Sequence, residues 1–183
     1  MPLIKTPIED LLVFEPTVFH DERGYFFESY SQKLWDQNGI DYNWLQDNEA
    51  KSTFGVVRGL HYQIGENAQA KLVRVTTGEV YDVAVDLRQN SPSYGQAFGI
   101  VLSESNKKQL LVPKGFAHGY AVLSESAIFC YKCDNYYNKS AEGGIHVNDP
   151  QLEIAWPIDV KQMILSEKDS ELPYLGQHKP TKL

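Results

Sequence analysis

The chain has 183 residues, the length of one ordinary domain and enough to bury a core without disulfide or metal staples. Charged residues make up 22% and hydrophobic residues 42%, which excludes a disordered chain. A formal charge of −7 excludes a sequence-independent grip on nucleic acid or on an anionic membrane, so any cations that matter are gathered locally in a site.

The opening stretch MPLIKTPIEDLLVFEP lacks a long apolar core ahead of a small-residue cleavage site, and no apolar run approaches a membrane span. A cytoplasmic protein is therefore expected. Strand-like segments dominate the rest, separated at short intervals by Gly, Pro, Asn and Ser. The first is Tyr25–Tyr30, followed by one helix with Ser31 as N-cap, QKLWDQN as body and Gly39 as stop. Strands are then expected at Gly55–Gln63, within Lys71–Leu87, and at Ala97–Ser103, Lys108–Pro113, Gly119–Ser124 and Ala127–Asp134. The segment after Pro173 reads as a loosely held tail. The pattern is that of one all-β domain over residues 1–183, a jelly-roll sandwich or barrel with a few short helices.

Within Lys71–Leu87, Thr77-Gly78 reads as a two-residue turn that would pair Lys71 with Ala84 and Val73 with Asp82. Alternation then puts Leu72, Tyr81, Val83, Val85 and Leu87 on one face and Lys71, Asp82 and Asp86 on the other, beside Val73 and Val75. Such a mixed face is either solvated or lines a lumen; two acids beside Lys71 would hold it protonated. The only cysteines, Cys130 and Cys133, lie in the β-branched and aromatic run SAIFCYKCDNYY. A strand there turns the two thiols to opposite sides, so they read as packing and not as a redox pair or half a zinc site.

The chemistry gathers around RGLHYQ, Arg58 to Gln63, where a guanidinium and an imidazole stand three positions apart in a strand. Of five histidines, His61 and His118 occupy strand-and-turn contexts rich in glycine, whereas His20, His146 and His178 read as surface residues. PKGFAHGY resembles the second half of the cupin metal signature, but HYQ stands where a His-x-His pair is wanted. A cupin-like fold without its metal site is the better reading.

The set DERGYFFESY, QDN, VVRGLHYQ, AKLVRVTTGEVYDVAVDLRQNSPSYG, VPKGFAHGYAVL and LSEKD, in order from about Phe14 to Asp169, resembles the dTDP-4-dehydrorhamnose 3,5-epimerase family. That resemblance implies a cupin fold, a homodimer, no cofactor or metal, and a dTDP-linked 4-keto-6-deoxyhexose substrate. A ketone at C4 acidifies the hydrogens at C3 and C5, and inversion then needs a base on one face, an acid on the other and a cation at the developing enolate oxygen. By resemblance His61 is the base, oriented by Asp169; Lys71 stabilises the enolate; Tyr131 is the opposing acid. In the strand pattern Tyr131 points away from Lys132, together with Phe129 and Cys133.

The resemblance assigns Arg58 and Arg23 to the diphosphate, where guanidinium forks suit phosphate oxygens. It places Glu28, Gln46, Asp47, Asn48, His118, Glu142 and Lys168 in the substrate site and Tyr137 against the thymine ring. Read on their own residues, Glu28 is equally a surface strand residue, Gln46 and Asn48 turn formers and Tyr137 core. Arg58 and His61 stand an odd number apart, so an ideal strand would point them to opposite faces; Gly59 is expected to mark a bulge that brings both into one cavity. Two positions depart from the family pattern: Glu49-Ala50 follows QDN where His-Ser is common, and Val147 precedes NDP where Trp is common. Alternatives from other classes are a mono-epimerase or ketoisomerase of the same fold, a carbohydrate-binding jelly roll without a base, and a metal oxygenase.

Overall fold

The computed structural model describes residues Leu3–Thr181. In chain order its elements are β1 (Leu3–Lys5), β2 (Leu12–Phe14), β3 (Phe19–Asp21), β4 (Gly24–Phe26), α1 (Gln32–Gln37), β5 (Gln46–Thr53), β6 (Val57–Gln63), β7 (Lys71–Thr77), β8 (Glu79–Asp86), β9 (Ala97–Ser103), β10 (Gln109–Val112), β11 (Phe116–Val122), β12 (Ser126–Cys133), β13 (Glu142–Gly144) and α2 (Glu167–Ser170). Two antiparallel sheets result, one of six strands in the order β1-β2-β10-β7-β12-β5 and one of five in the order β13-β6-β11-β8-β9, with β3-β4 as a separate hairpin. This is the expected all-β jelly-roll sandwich. No described helix is long and apolar enough to cross a membrane.

Alternation along the strands sorts the apolar side chains into three layers. Val73, Val75, Leu110 and Phe129 of the six-stranded sheet meet Val80, Ala84, Phe116 and Val122 of the five-stranded sheet in the central layer. Behind the five-stranded sheet, Val83, Val85 and Leu87 pack against Ile145, Leu152 and Ile158 from the C-terminal third. Behind the six-stranded sheet, Phe14, Leu72 and Leu111 are covered by Trp35 of α1, whose ring lies 5.6 Å from that of Phe14. The helix occurs where expected, with Ser31 at its N-cap and Gly39 at φ +73° just past its end.

The Lys71–Leu87 hairpin does not form. β7 pairs with β10 and β12, placing Lys71 opposite Val112 and Cys133, while β8 pairs with β11 and β9, placing Asp82 opposite Tyr120 and Ile100. Thr77-Gly78 is instead the corner where the chain passes from one sheet to the other, and a Cβ on Gly78 would run into the Ser126 carbonyl. The alternation nevertheless holds: Val73 and Val75 point into the central layer with Val80 and Ala84, while Tyr81, Val83, Val85 and Leu87 pack on the other face of their sheet. Period two specifies faces; it does not choose the partner strand.

Five strands escape the sequence reading: β1, β2, β3, β5 and β13. β5 carries QDNEAKST, too polar to suggest a strand, because it is the edge of the six-stranded sheet and buries only alternate side chains in part. The expected strand at Tyr25–Tyr30 is confined to Gly24–Phe26, which pairs with an unforeseen β3 in an exposed hairpin.

Candidate active site

β6 decides what faces the interior. Opposite β11, His61 aligns with His118 but Arg58 aligns with Tyr120, so β6 spends one extra residue between them. The parity of the strand changes there: Val57, Leu60 and Tyr62 all pack outward in the layer behind the sheet, leaving Arg58 and His61 to line one cavity. Gly59 makes the bulge sterically tolerable. Its φ is +123°, and an added Cβ would lie 2.6 Å from the Gly119 Cα and 2.7 Å from the His118 carbonyl oxygen.

The cavity between the sheets holds about 510 Å³ and is lined by Arg58, His61, Lys71, His118, Tyr131 and Asp169 among others. A second chamber of about 330 Å³ shares His61, Lys71 and Tyr131 with it and adds Gln46, Asn48, Tyr137 and Glu142. The three shared side chains form a waist between the chambers. His61 reaches it from the five-stranded sheet, and Lys71 and Tyr131 reach it from the six-stranded sheet on β7 and β12.

His61 Nε2 lies 2.6 Å from Asp169 Oδ1, the carboxylate being buried and the imidazole partly exposed to the cavity. α2 delivers Asp169. The Ser166 hydroxyl accepts the Asp169 backbone N–H at 3.1 Å, a cap that pins the carboxylate-bearing residue at the helix start. Burial pushes the Asp169 carboxyl up, but His61, together with hydrogen bonds from the Gly59 backbone and Ser166, outweighs it and holds the group below the usual carboxylate range. Burial lowers Lys71 from the ordinary lysine value, against the opposing pull of Cys133, Asp82 and Glu142. Burial also raises the Tyr131 phenol, reinforced by Cys133 and Tyr120 and opposed by Arg58, so at neutral pH it retains its proton.

The remaining polar groups divide by position. Arg58 donates its Nε–H to Ser52 Oγ at 3.1 Å. Gln46 donates to Asn48 Oδ1 at 2.9 Å and accepts from the Tyr137 backbone N–H at 3.2 Å, so this edge of β5 faces the second chamber. At its rim, Glu142 accepts from Lys168 Nζ at 2.6 Å and from the Tyr137 hydroxyl at 3.0 Å. Burial raises the Glu142 carboxyl, yet these two donors bring it below its ordinary value. His118 Nε2 lies 3.0 Å from both oxygens of Asp82, a fully buried carboxylate.

Three expected residues do not reach these chambers. Asp47, between Gln46 and Asn48 on an alternating strand, faces the other way and accepts from Lys132 Nζ at 2.9 Å. Arg23 sits at the tip of the exposed β3-β4 hairpin, paired with Asp21 and with an 84% exposed side chain. Glu28 lies just beyond that hairpin and lines neither chamber. Of the departures from the family pattern, Ala50 lines the larger chamber, Glu49 turns outward beside Cys130, and Val147 is buried. The two cysteines face opposite sides, both free; Cys133 lines the second chamber, where burial raises its thiol to about 11. Sequence reasoning missed Ser52, Ser166 and the His118–Asp82 contact. Ser166 was detectable from its three-residue spacing to Asp169, a helix-capping signature, and Asp82 from sharing the face of Lys71. Among the described residues no three His, Cys, Asp or Glu side chains converge as a metal site requires.

Comparison with known proteins accords with this arrangement. Residues 5–177 match the family described as dTDP-4-dehydrorhamnose 3,5-epimerase. The protein of that name from Salmonella typhimurium is 53% identical over 178 residues, covering 97% of each chain. A crystal structure of the Elizabethkingia anophelis protein of the same name superposes with a TM-score of 0.92 at 54% identity, covering 96% of both chains. One of a Legionella pneumophila dTDP-6-deoxy-D-glucose-3,5-epimerase in complex with dTDP-4-keto-L-rhamnose gives a TM-score of 0.92 at 48% identity, covering 96% of this chain and 93% of that one. With His61, Lys71 and Tyr131 brought to one waist and this likeness running nearly end to end, the chain belongs to the dTDP-4-dehydrorhamnose 3,5-epimerase family and is an isomerase.

Proposed function

We propose that this chain, as one cytoplasmic domain acting without a cofactor in a homodimer, inverts C3 and C5 of a dTDP-linked 4-keto-6-deoxyhexose by removing and returning protons through an enolate. The observation that carries the reading is that His61 and Tyr131 reach the same waist from opposite sheets, so base and acid approach a sugar held between them from two sides. With its Nε2–H donated to Asp169, neutral His61 offers Nδ1 as base. The C–H proton passes to Nδ1, and the bonding pair moves into the enolate with its charge on the C4 oxygen. Asp169 stabilises the imidazolium that results. Lys71, lowered by burial, places an ammonium beside that oxygen and shares its proton readily. The Tyr131 phenol, raised and therefore protonated, delivers its proton to the opposite face of the carbon, and solvent exchange between His61 and Tyr131 restores the starting state.

Arg58 and Lys168 supply positive charge along the cavity for the diphosphate, and the exposed Tyr137 ring at the rim offers a stacking surface to the thymine. Gln46, Asn48, His118 and Glu142 supply hydrogen bonds. The homodimer accounts for the hairpin: Phe19 and Phe26 are exposed at 62% and 71%, which a partner subunit would cover, bringing Arg23 and Glu28 toward a site other than their own.

Proton NMR in deuterated water tests the assignment by reading exchange and configuration together. His61→Ala is expected to lose nearly all exchange of substrate hydrogen for deuterium, because no enolate forms. Tyr131→Phe is expected to keep exchanging while inversion falls, by about 10²–10⁴-fold for a general acid. Full exchange in His61→Ala, or parent-like inversion at C5 in Tyr131→Phe, sinks the mechanism or the acid respectively.

A further inference from the structure

Asp82 is not needed for the base, the acid or the enolate as assigned above, yet it is a carboxylate with no exposure at all, placed between two sheets. Burying such a charge is expensive, and a buried ion pair is often no more stabilising than the apolar residues that could replace it. Its contact is specific. β8 and β11 align Asp82 with Tyr120 and Ala84 with His118, so Asp82 and His118 are diagonal neighbours on the interior face of one sheet. Both Asp82 oxygens lie 3.0 Å from His118 Nε2. From the opposite sheet the Phe129 ring lies nearly parallel to the imidazole at 29°, centroids 6.1 Å apart, and confines it. His118 is the aligned partner of His61 across β6 and β11 and lines the same cavity.

We infer that Asp82 is a positioning residue acting through His118: it fixes the Nε2–H tautomer and turns Nδ1 to the cavity as an acceptor for a sugar hydroxyl beside His61. A carboxylate can only accept, so Nε2 must carry the proton. With the Nε2 proton committed to Asp82, Nδ1 is the nitrogen left to accept, and a hydroxyl of the substrate donates to it. The interior face of the five-stranded sheet thus carries two histidine–carboxylate pairs side by side. His61–Asp169 removes protons, and His118–Asp82 holds the ring from which they are removed. This inference rests on the epimerase reading for its substrate, but its structural half does not.

The test uses the full chain and its Asp82→Asn variant. Asparagine keeps the shape but offers Nε2 either its oxygen or its amide N–H, so the tautomer is no longer imposed. In ¹⁵N-histidine-labelled parent protein without substrate, long-range ¹H–¹⁵N correlation is expected to show the His118 ring protonated at Nε2 and bare at Nδ1; a bare Nε2, or a proton on both nitrogens, overturns the inference whether or not any variant folds. In Asp82→Asn the His118 signals are expected to move toward a tautomer mixture, and kcat/KM to fall about 10- to 100-fold, the size of one charge-assisted hydrogen bond. Placed in a His118→Gln background, Asp82→Asn should cause little further loss, because both act through one group. Losses that multiply independently, with melting temperature falling in step, would show that Asp82 supports only the fold. Inactivity of the parent toward 4-keto-6-deoxyhexose nucleotides would instead remove the epimerase reading and leave the tautomer result standing.

Discussion

The imidazole of His61 is fixed by Asp169, whose buried Oδ1 lies 2.6 Å from Nε2 on another element. The same contact has a consequence for stability. Burial raises the Asp169 carboxyl, but His61, with the Gly59 backbone and Ser166, outweighs it, and the folded value lies below the ordinary 3.8. A depressed carboxylate contributes stability that is fully present above its unfolded value and disappears as the pH falls through the folded value. Asp169→Asn is therefore expected to lose stability at neutral pH but to show a shallower loss on acidification below about pH 4 than the parent, as read from urea midpoints across that range. A parallel acid limb in both proteins would mean the carboxylate gains nothing from His61. Arg58 provides the other test at this scale: Arg58→Ala should weaken dTDP binding at least tenfold, since contacts to charged groups are worth about 1.5–3 kcal/mol, and unchanged affinity in calorimetry would remove Arg58 from the diphosphate.

At the level of the element, the bulge in β6 is what places Arg58 and His61 together. The glycine in RGLH suggested it because an odd spacing on an unbroken strand could not serve one cavity, and the register against β11 shows the extra residue. Gly59→Ala is expected to force β6 from β11, since its Cβ would lie well inside van der Waals contact with the Gly119 and His118 backbone and its φ is positive. Overpacking of this kind costs about 1–3 kcal/mol before the backbone strain is added. A melting temperature lower by several degrees together with lost turnover is the expected result; parent-like values in both would mean that the bulge is not held by this contact. The Lys71–Leu87 segment shows the limit of local reading. Alternation put Lys71 and Asp82 on one face and left open whether that face is solvated or lines a lumen; the structure turns it inward, and the Thr77-Gly78 turn joins two sheets. β5 was unreadable for a related reason: an edge strand buries too little for its residues to be apolar.

At the scale of the whole molecule, the hairpin carrying Phe19, Phe26 and Arg23 is an exposed apolar surface that the proposed homodimer would cover. Light scattering at working concentration is expected to give a dimer, and Phe26→Asp, which places a charge on the exposed apolar face, to shift it toward monomer. A monomeric parent would remove the homodimer and with it the part given to Arg23.

Alternation, turn residues and side-chain types determined by themselves the all-β class, the division of faces along β7 and β8, the opposed directions of the two thiols, and His61, Arg58 and Lys71 as groups worth watching, while Tyr131 came from the family resemblance. These are local properties, set by period two and by side-chain chemistry. Tertiary structure decided how His61 meets Asp169 across 108 positions of chain, that His61 and Tyr131 come from different sheets, that Asp47 and Arg23 turn away, and that Asp82 closes on His118. Contacts of that kind depend on which strands pair and how two faces stack. That choice is made by burial summed over the entire sandwich, so no window of sequence contains it.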